Sequence, residues 1–182
     1  DPVVSDFMQY TSRVAGYIPI TKHGMALALS FRWGLNSQLI ERSHTYPDRL
    51  FFMGGVDTIR GFTQDSLIPE DIAQQLLDAH DLAVSDPGDN ELLTVDRILI
   101  RGGDIFINPR AELRIPLSGS VQTALFLDTG NLWSSIRAFE DMSFRRRDSA
   151  GSGILIATPV GPLVFDYGFN LERLLDQIDS SR

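Results

Sequence analysis

The sequence predicts an all-β protein built from antiparallel strands. Hydrophobic and polar residues alternate in several segments of about ten residues, a period that places the two classes on opposite faces of a strand. Pro, Gly, Asn and Asp cluster between these segments, as expected of turns. No run of about 18 apolar residues occurs, so no membrane-spanning helix is predicted. The sequence is compatible with a membrane-spanning β-barrel, because the strands of such a barrel need only about ten alternating residues each.

The composition is that of one folded unit. The 182 residues are 43% hydrophobic and 22% charged, and their formal net charge is −8. This acidic balance argues against a general nucleic-acid binder, which would show a basic face. The chain has no cysteine, which excludes a disulfide scaffold and a thiolate zinc site. We therefore expect no nucleic-acid partner.

The clearest strand signal lies near the start of the chain. Every second residue from 25 to 35 is apolar, and the residues between are small or polar and include Arg32. Residues 8–18 alternate less regularly and predict a second strand, which a turn at 19–24 joins to the first. The pattern suits a barrel strand with a lipid face and a hydrated lumen face. A β-sandwich strand with its apolar face inward would show the same alternation.

A glycine-rich stretch, residues 51–62, follows these strands, and we call it the arginine loop. Its motif residues are Gly54, Gly55, Ile59, Arg60, Gly61 and Phe62. Glycine permits tight turns and close backbone approach, so the loop is predicted to fold back sharply. The guanidinium of Arg60 is always ionised and has five donors in a rigid fork, so an enclosed loop would need a carboxylate beside it. The alternative is a surface turn with a solvated arginine.

Residues 63–104 interrupt the strand pattern. Pro69, Glu70 and Asp71 predict a helix start, and residues 85–90 are turn formers that end the helical spacing. The segment is too long for a hairpin connection. We expect an inserted, partly helical extracellular loop, since barrels of this kind place their long loops outside. A small inserted subdomain is the alternative.

Strand signals resume at Ile105, and about six strands are predicted in total. The predicted strands are residues 8–18, 25–36, 105–117, 121–128, 151–158 and 162–171. Residues 128–131 are predicted as a turn that closes the fourth strand, with Trp133 as an interfacial aromatic. Carboxylates in the late strands lie opposite the apolar residues. The residues expected to face lipid are Leu27, Leu29, Phe31, Leu125, Leu127, Phe165 and Tyr167.

Four motifs, in this order, carry a family resemblance. They read FFMGGVDTIRGF at 51–62, NPRAELRIPL at 108–117, FLDTGNLW at 126–133 and TPVGPLVFDY at 158–167. They resemble the lumen loop and the following strands of the POTRA-containing outer-membrane protein assembly and translocation superfamily. That superfamily, also described as the bacterial surface antigen family, includes BamA- and TamA-like proteins. The resemblance covers roughly residues 7–172 and is weak before Phe51.

The resemblance implies that residues 1–182 are the C-terminal part of one larger antiparallel transmembrane β-barrel domain. It implies an outer-membrane location, in a Gram-negative bacterium or an organelle. The implied function is to insert outer-membrane proteins or to translocate polypeptides. The implied partners are membrane lipid, unfolded outer-membrane or secreted client polypeptides, and accessory assembly proteins. The alternative is a passive porin-like or adhesin-type β-domain.

The resemblance also implies a partner for Arg60, because the family's loop arginine docks on acidic residues of the late strands. Asp128 is the first candidate and Asp166 the second. Glu112 shares their face, but Arg114 two residues along offers it a nearer partner. We therefore expect Arg60 to pair with Asp128 or Asp166 and Glu112 to pair with Arg114.

No catalytic site is predicted. His23, His44 and His80 are irregularly spaced and lack the His/carboxylate spacing of a metal site. The serine-containing turns lack the strand–turn–helix setting of a nucleophile elbow. We expect no enzyme activity, no cofactor and no metal.

Overall fold

The computed structural model describes residues 5–40, 43–76, 102–141 and 146–172. Within these ranges six strands form one antiparallel sheet in sequence order, which confirms the predicted all-β class. The strands are β1 (Phe7–Pro19), β2 (Ala26–Gln38), β3 (Ile105–Ser118), β4 (Val121–Trp133), β5 (Arg147–Thr158) and β6 (Gly161–Asn170). The edges of the described sheet are therefore β1 and β6.

Short helical segments accompany the sheet in the described part of the chain. A 3-10 helix covers Pro47–Arg49, and a short α-helix covers Ile136–Asp141. A further helix begins at Glu70 and is described to residue 76. The predicted break at 85–90 and His80 lie outside the described residues. No helix in the described part of the chain is long and apolar enough to span a membrane.

The connections differ in length at the two ends of the sheet. Short turns join β1 to β2, β3 to β4 and β5 to β6 at one end. The longer connections, residues 39–104 and 134–146, both leave from the other end. The arginine loop and the predicted insertion thus share an end with the other long connection. This asymmetry is typical of membrane barrels, which have short periplasmic turns and long extracellular loops.

The two faces of the sheet have different chemistry. The residues expected to face lipid point away from the arginine loop, and most of them are exposed. The exposed residues are Leu29, Phe31, Leu125, Leu127, Phe165 and Tyr167, and Leu27 is half-buried. We call this side the outer face and the loop-covered side the inner face. A contiguous exposed apolar face of this kind marks contact with a membrane or another apolar partner.

The hydrophobic core lies between the arginine loop and the inner face. Its buried members are Met53, Ile59, Leu67, Phe106 and Leu132, with Phe51 and Phe62 packed against them. The Phe51 and Phe106 rings are 4.9 Å apart between centroids. Gly34 of β2 makes room for both rings, since a Cβ there would overlap them. The loop is therefore part of the packed structure and does not project into solvent.

The predicted turn at residues 128–131 is wrong, because β4 continues to Trp133. Gly130 pairs with Arg147 of β5 and Asn131 pairs with Ile107 of β3, so both neighbouring strands extend the ladder past the turn-forming residues. Trp133 is buried and not interfacial. Its ring packs edge-to-face on Phe139 at 4.9 Å between centroids.

Candidate functional site

The arginine loop folds onto the inner face of the sheet, and backbone hydrogen bonds close it at its base. Phe51 and Gly103 exchange backbone hydrogen bonds of 2.8 and 2.9 Å at its base. The Leu67 amide donates to the Met53 carbonyl at 3.1 Å, which joins the arginine loop to residues 63–69, which we call the return leg. Gly54 has φ of 111°, a left-handed conformation that favours glycine. These contacts fix the path of the backbone that carries the tip.

Arg60 at the tip binds Asp128 of β4 through three donors. Nε donates to Oδ2 at 2.7 Å, Nη2 donates to Oδ1 at 2.9 Å, and the Arg60 backbone amide donates to Oδ2 at 3.1 Å. The Arg60 side chain is 6% exposed and the Asp128 side chain is fully buried. Such a bidentate charged pair is strong and geometrically specific. The loop tip is therefore held in both position and orientation.

The remaining donor, Nη1, binds two further carboxylates. It donates to Glu112 Oε2 of β3 at 3.0 Å and to Asp166 Oδ2 of β6 at 2.9 Å. One guanidinium thus connects three strands. We call Arg60 with Glu112, Asp128 and Asp166 the Arg60 anchor.

The expectation for Glu112 is corrected by these contacts. Arg114 does bind it, with Nε donating to Oε1 at 2.7 Å. The other carboxylate oxygen accepts from Arg60. Both arginines share Glu112 because a carboxylate has two oxygens and several lone pairs. A nearer partner therefore did not exclude the more distant one.

An aromatic ring and two glycines shape the space around the guanidinium. Arg60 Cζ lies 3.5 Å from the centroid of the Phe126 ring, a cation–π contact. Gly151 of β5 pairs with Phe126, and a Cβ on it would overlap that ring. A Cβ on Gly153 would overlap Oδ1 of Asp166. The absent side chains let Asp166 reach across β5 to Arg60.

The backbone of the loop rests directly on β6. Gly61 has φ of 102°, and a Cβ there would lie 2.8 Å from the carbonyl carbon of Phe169. A Cβ on Gly168 would lie 2.9 Å from both the Arg60 carbonyl carbon and the Gly61 nitrogen. Two glycines, one on each side, therefore allow this approach.

Arg110, which the sequence analysis did not single out, also belongs to the site. Its Nε donates to Asp128 Oδ1 at 3.1 Å, and its Nη1 donates to the Asp57 carbonyl at 3.1 Å. Arg32 donates to the same carbonyl at 2.7 Å. Arg110 and Asp128 are directly opposed in the β3–β4 ladder, and the short turn between these strands was the signal that could have predicted this pair.

The electrostatics keep Arg60 ionised. Burial alone would lower the pKa of its guanidinium, but the hydrogen bonds that Arg60 donates to Asp128 and Asp166 outweigh burial and the pKa is raised. Each carboxylate of the anchor is hydrogen-bonded to at least one arginine. Among the described residues no group of His, Cys, Asp and Glu is placed to hold a metal ion. The contacts of this site attach the arginine loop to the inner face of the sheet.

The remaining predicted motif residues support this attachment. Ile59 is fully buried in the core beside the tip, and Phe62 packs against that core. Gly55 has φ of 90°, and its amide donates to the Phe62 carbonyl at 3.1 Å. The structure thus brings Arg60 together with Asp128 and Asp166, and the other motif residues form the turns and packing of the loop that carries Arg60.

Comparison with known proteins agrees with this architecture. The crystal structure of BamA from Haemophilus ducreyi lacking POTRA domains 1–3 is similar to this chain, with a TM-score of 0.67 and 21% sequence identity. The similarity covers 91% of this chain and 32% of that one, so this chain spans about a third of that chain's length. A model of the Omp85 superfamily domain matches residues 4–180. This chain belongs to the Omp85 superfamily.

Proposed function

We propose that this chain is the C-terminal part of an outer-membrane β-barrel that inserts outer-membrane proteins or translocates polypeptides. Outer-membrane location and protein insertion or translocation describe the Omp85 superfamily as a whole. In this proposal the outer face contacts lipid, and residues 63–104 lie in the extracellular loop that follows the arginine loop. The partners of the proposed barrel are unfolded client polypeptides and accessory assembly proteins.

The observation that carries the proposal is the Arg60 anchor. Burying charges costs several kcal/mol per ion, and a buried ion pair is often no more stabilising than apolar packing. Bidentate contacts of this kind instead specify position. The anchor therefore supports a role in which the loop must occupy one place inside the barrel. Client handling at the inner face is such a role.

The same observation weighs against a passive porin. The arginine loop and its return leg fill the space beside β3, β4 and β6 with Met53, Ile59 and Leu67, all buried. A packed segment at that position narrows the space through which solutes would diffuse. The porin-like or adhesin alternative keeps its support from strand alternation alone, which barrels of every function share.

Substitution of Arg60 in the full-length protein tests the proposal. Cells depleted of the wild-type protein would express Arg60→Ala or Arg60→Lys, and the folded amount of a resident outer-membrane barrel would be measured. We expect both variants to lose client assembly, because lysine keeps the charge but lacks the planar fork that reaches three carboxylates. Arg49→Ala is the matched control, since Arg49 is exposed and pairs only weakly with Asp48 at 3.6 Å.

Vesicles containing the purified full-length protein separate the two functions. A urea-denatured small outer-membrane barrel protein is the client, and its folding rate and the ion conductance are recorded together. We expect faster client folding that depends on Arg60. High steady conductance without any acceleration of folding would instead support the porin-like alternative.

A further inference from the structure

A second ionic cluster holds the arginine loop at the opposite end of its return leg. Arg147, the first residue of β5, donates from Nη2 to Glu70 Oε2 and from Nη1 to Glu172 Oε2, both at 3.3 Å. Glu70 begins the helix that follows the return leg, and Glu172 lies two residues beyond β6. We call these three residues the Arg147 latch.

Burial makes Arg147 important to Glu70. Glu70 is 3% exposed, and its Oε2 also accepts a hydrogen bond from Asn131 Nδ2 at 2.9 Å. A carboxylate this buried needs a cation or several donors, because desolvation otherwise penalises its charge. Asp71 adds a second attachment by accepting from the Ser134 amide at 2.9 Å and from the Ser134 hydroxyl. The helix start is thereby tied to the end of β4 and the start of β5.

The latch and the Arg60 anchor share no residue but act on the same strand. The anchor reaches β6 at Asp166, and the loop backbone beside it rests on Gly168. The latch reaches Glu172 just past the end of that strand. Residues 61–69 connect the two clusters. The arginine loop therefore contacts β6 at Asp166 and Gly168, and the latch holds the chain at Glu172 just beyond that strand.

We propose that Arg147 is a positioning residue whose latch holds the return leg against the end of β6 independently of Arg60. Release of the loop tip and release of the return leg are then separate events. The tip is free to detach from its carboxylates while the return leg stays at the mouth of the barrel. The consequence for client handling rests on the proposed function, whereas the latch itself does not.

Single-cysteine probes in the full-length protein, made otherwise cysteine-free, separate the two events. Thr58→Cys reports on the tip and Leu67→Cys on the return leg, because both positions are buried. Maleimide labelling is measured in isolated membranes. Arg147→Ala should raise labelling at Leu67→Cys about tenfold, equivalent to about 1.4 kcal/mol, and leave Thr58→Cys within about twofold. Arg60→Ala should instead raise labelling at Thr58→Cys and leave Leu67→Cys within about twofold.

The adjacent arginine supplies the control. The Arg146 side chain is 63% exposed and its ion pair with Asp148 is 3.8 Å long, so Arg146→Ala should change neither probe. Arg147→Lys should restore much of the protection at Leu67→Cys, since it keeps a cation beside Glu70. If Arg147→Ala merely loosened the barrel, maleimide labelling of both cysteine probes would increase. Arg147→Lys would then not restore protection at Leu67→Cys alone.

The outcomes separate the latch from the proposed function. Equal labelling of both probes in Arg147→Ala, or continued protection of Leu67→Cys, would overturn the latch. If Arg147→Ala fails to accumulate, Glu172→Gln removes one arm at a more exposed position and should show the same selectivity with a smaller increase. Absence of that selectivity overturns the latch as well. Selective labelling in Arg147→Ala, combined with normal client assembly in Arg60→Ala, would leave the latch standing and contradict the proposed function.

Discussion

The two faces of the sheet follow different rules. The outer face presents apolar side chains such as Leu29, Phe31 and Leu125, which need no particular partner. On the inner face Asp128 and Gly168 each meet one defined group of a loop that is distant in sequence. The outer face should therefore tolerate apolar exchanges and reject charge. The inner face should be sensitive to the loss of single atoms.

The largest effect is expected from Asp128→Ala on the inner face. The substitution leaves Arg60 and Arg110 without their shared carboxylate in a buried setting. Removing one partner of a buried pair costs about 3 to 5 kcal/mol, measured here as the free energy of unfolding of the full-length protein in lipid vesicles. Asp148→Ala, at a partly exposed and long ion pair, is the control and should cost less than about 1 kcal/mol. Similar losses for the two would contradict the buried anchor.

A charge on the outer face is expected to have the next largest effect. Leu29→Arg should lower the free energy of unfolding by about 2 to 4 kcal/mol if the position lies near the bilayer midplane. Val160→Arg, in the exposed turn between β5 and β6, is the control and should be nearly neutral. Lipid-soluble reagents should label Leu29→Cys and aqueous reagents Ser30→Cys. The opposite labelling would mean that the faces are assigned the wrong way round.

A methyl group on the inner face should cost less than a lost carboxylate. Gly168→Ala places Cβ 2.9 Å from the backbone of Arg60 and Gly61, so the loop or β6 must shift. Overpacking of this kind costs about 1 to 3 kcal/mol. Gly16→Ala in β1 is the matched control, since a Cβ there meets nothing within 4 Å. Equal stability of the two alanine variants would show that the loop does not rest on β6.

The smallest effect is expected from Glu112→Ala. Arg60 keeps Asp128 and Asp166, and Arg114 is exposed enough to be solvated. The loss should be about 1 kcal/mol, because Arg60 keeps two other carboxylates and water replaces Glu112 beside Arg114. The same unfolding measurement checks it. A loss as large as that of Asp128→Ala would make Glu112 the principal partner of Arg60.

The same contrast explains what could be predicted from the sequence. Alternation identified the strands and the outer face, because lipid contact depends only on hydropathy along one strand. It failed at residues 128–131, where turn-forming residues continue as strand because β3 and β5 both pair with them. Local residue preference was overridden there by pairing that only the assembled sheet provides.

The inner face required information that alternation does not contain. The resemblance pointed to Asp128 and Asp166, but it left out Arg110 and the sharing of Glu112 by two arginines. The contact between Glu70 and Arg147 joins residues far apart in sequence, and no local pattern indicates it. Such contacts depend on where a loop returns to the sheet.

A double-mutant cycle between Arg60 and Asp128 tests whether their ion pair holds the loop tip. Arg60→Ala, Asp128→Ala and the double variant of the full-length protein are compared for free energy of unfolding in vesicles and for client assembly. Because each residue is the main partner of the other, the double variant should be no worse than the poorer single variant. Simple additivity of the two losses, in both measurements, would mean that Arg60 and Asp128 are not coupled and that Arg60 acts independently of this carboxylate.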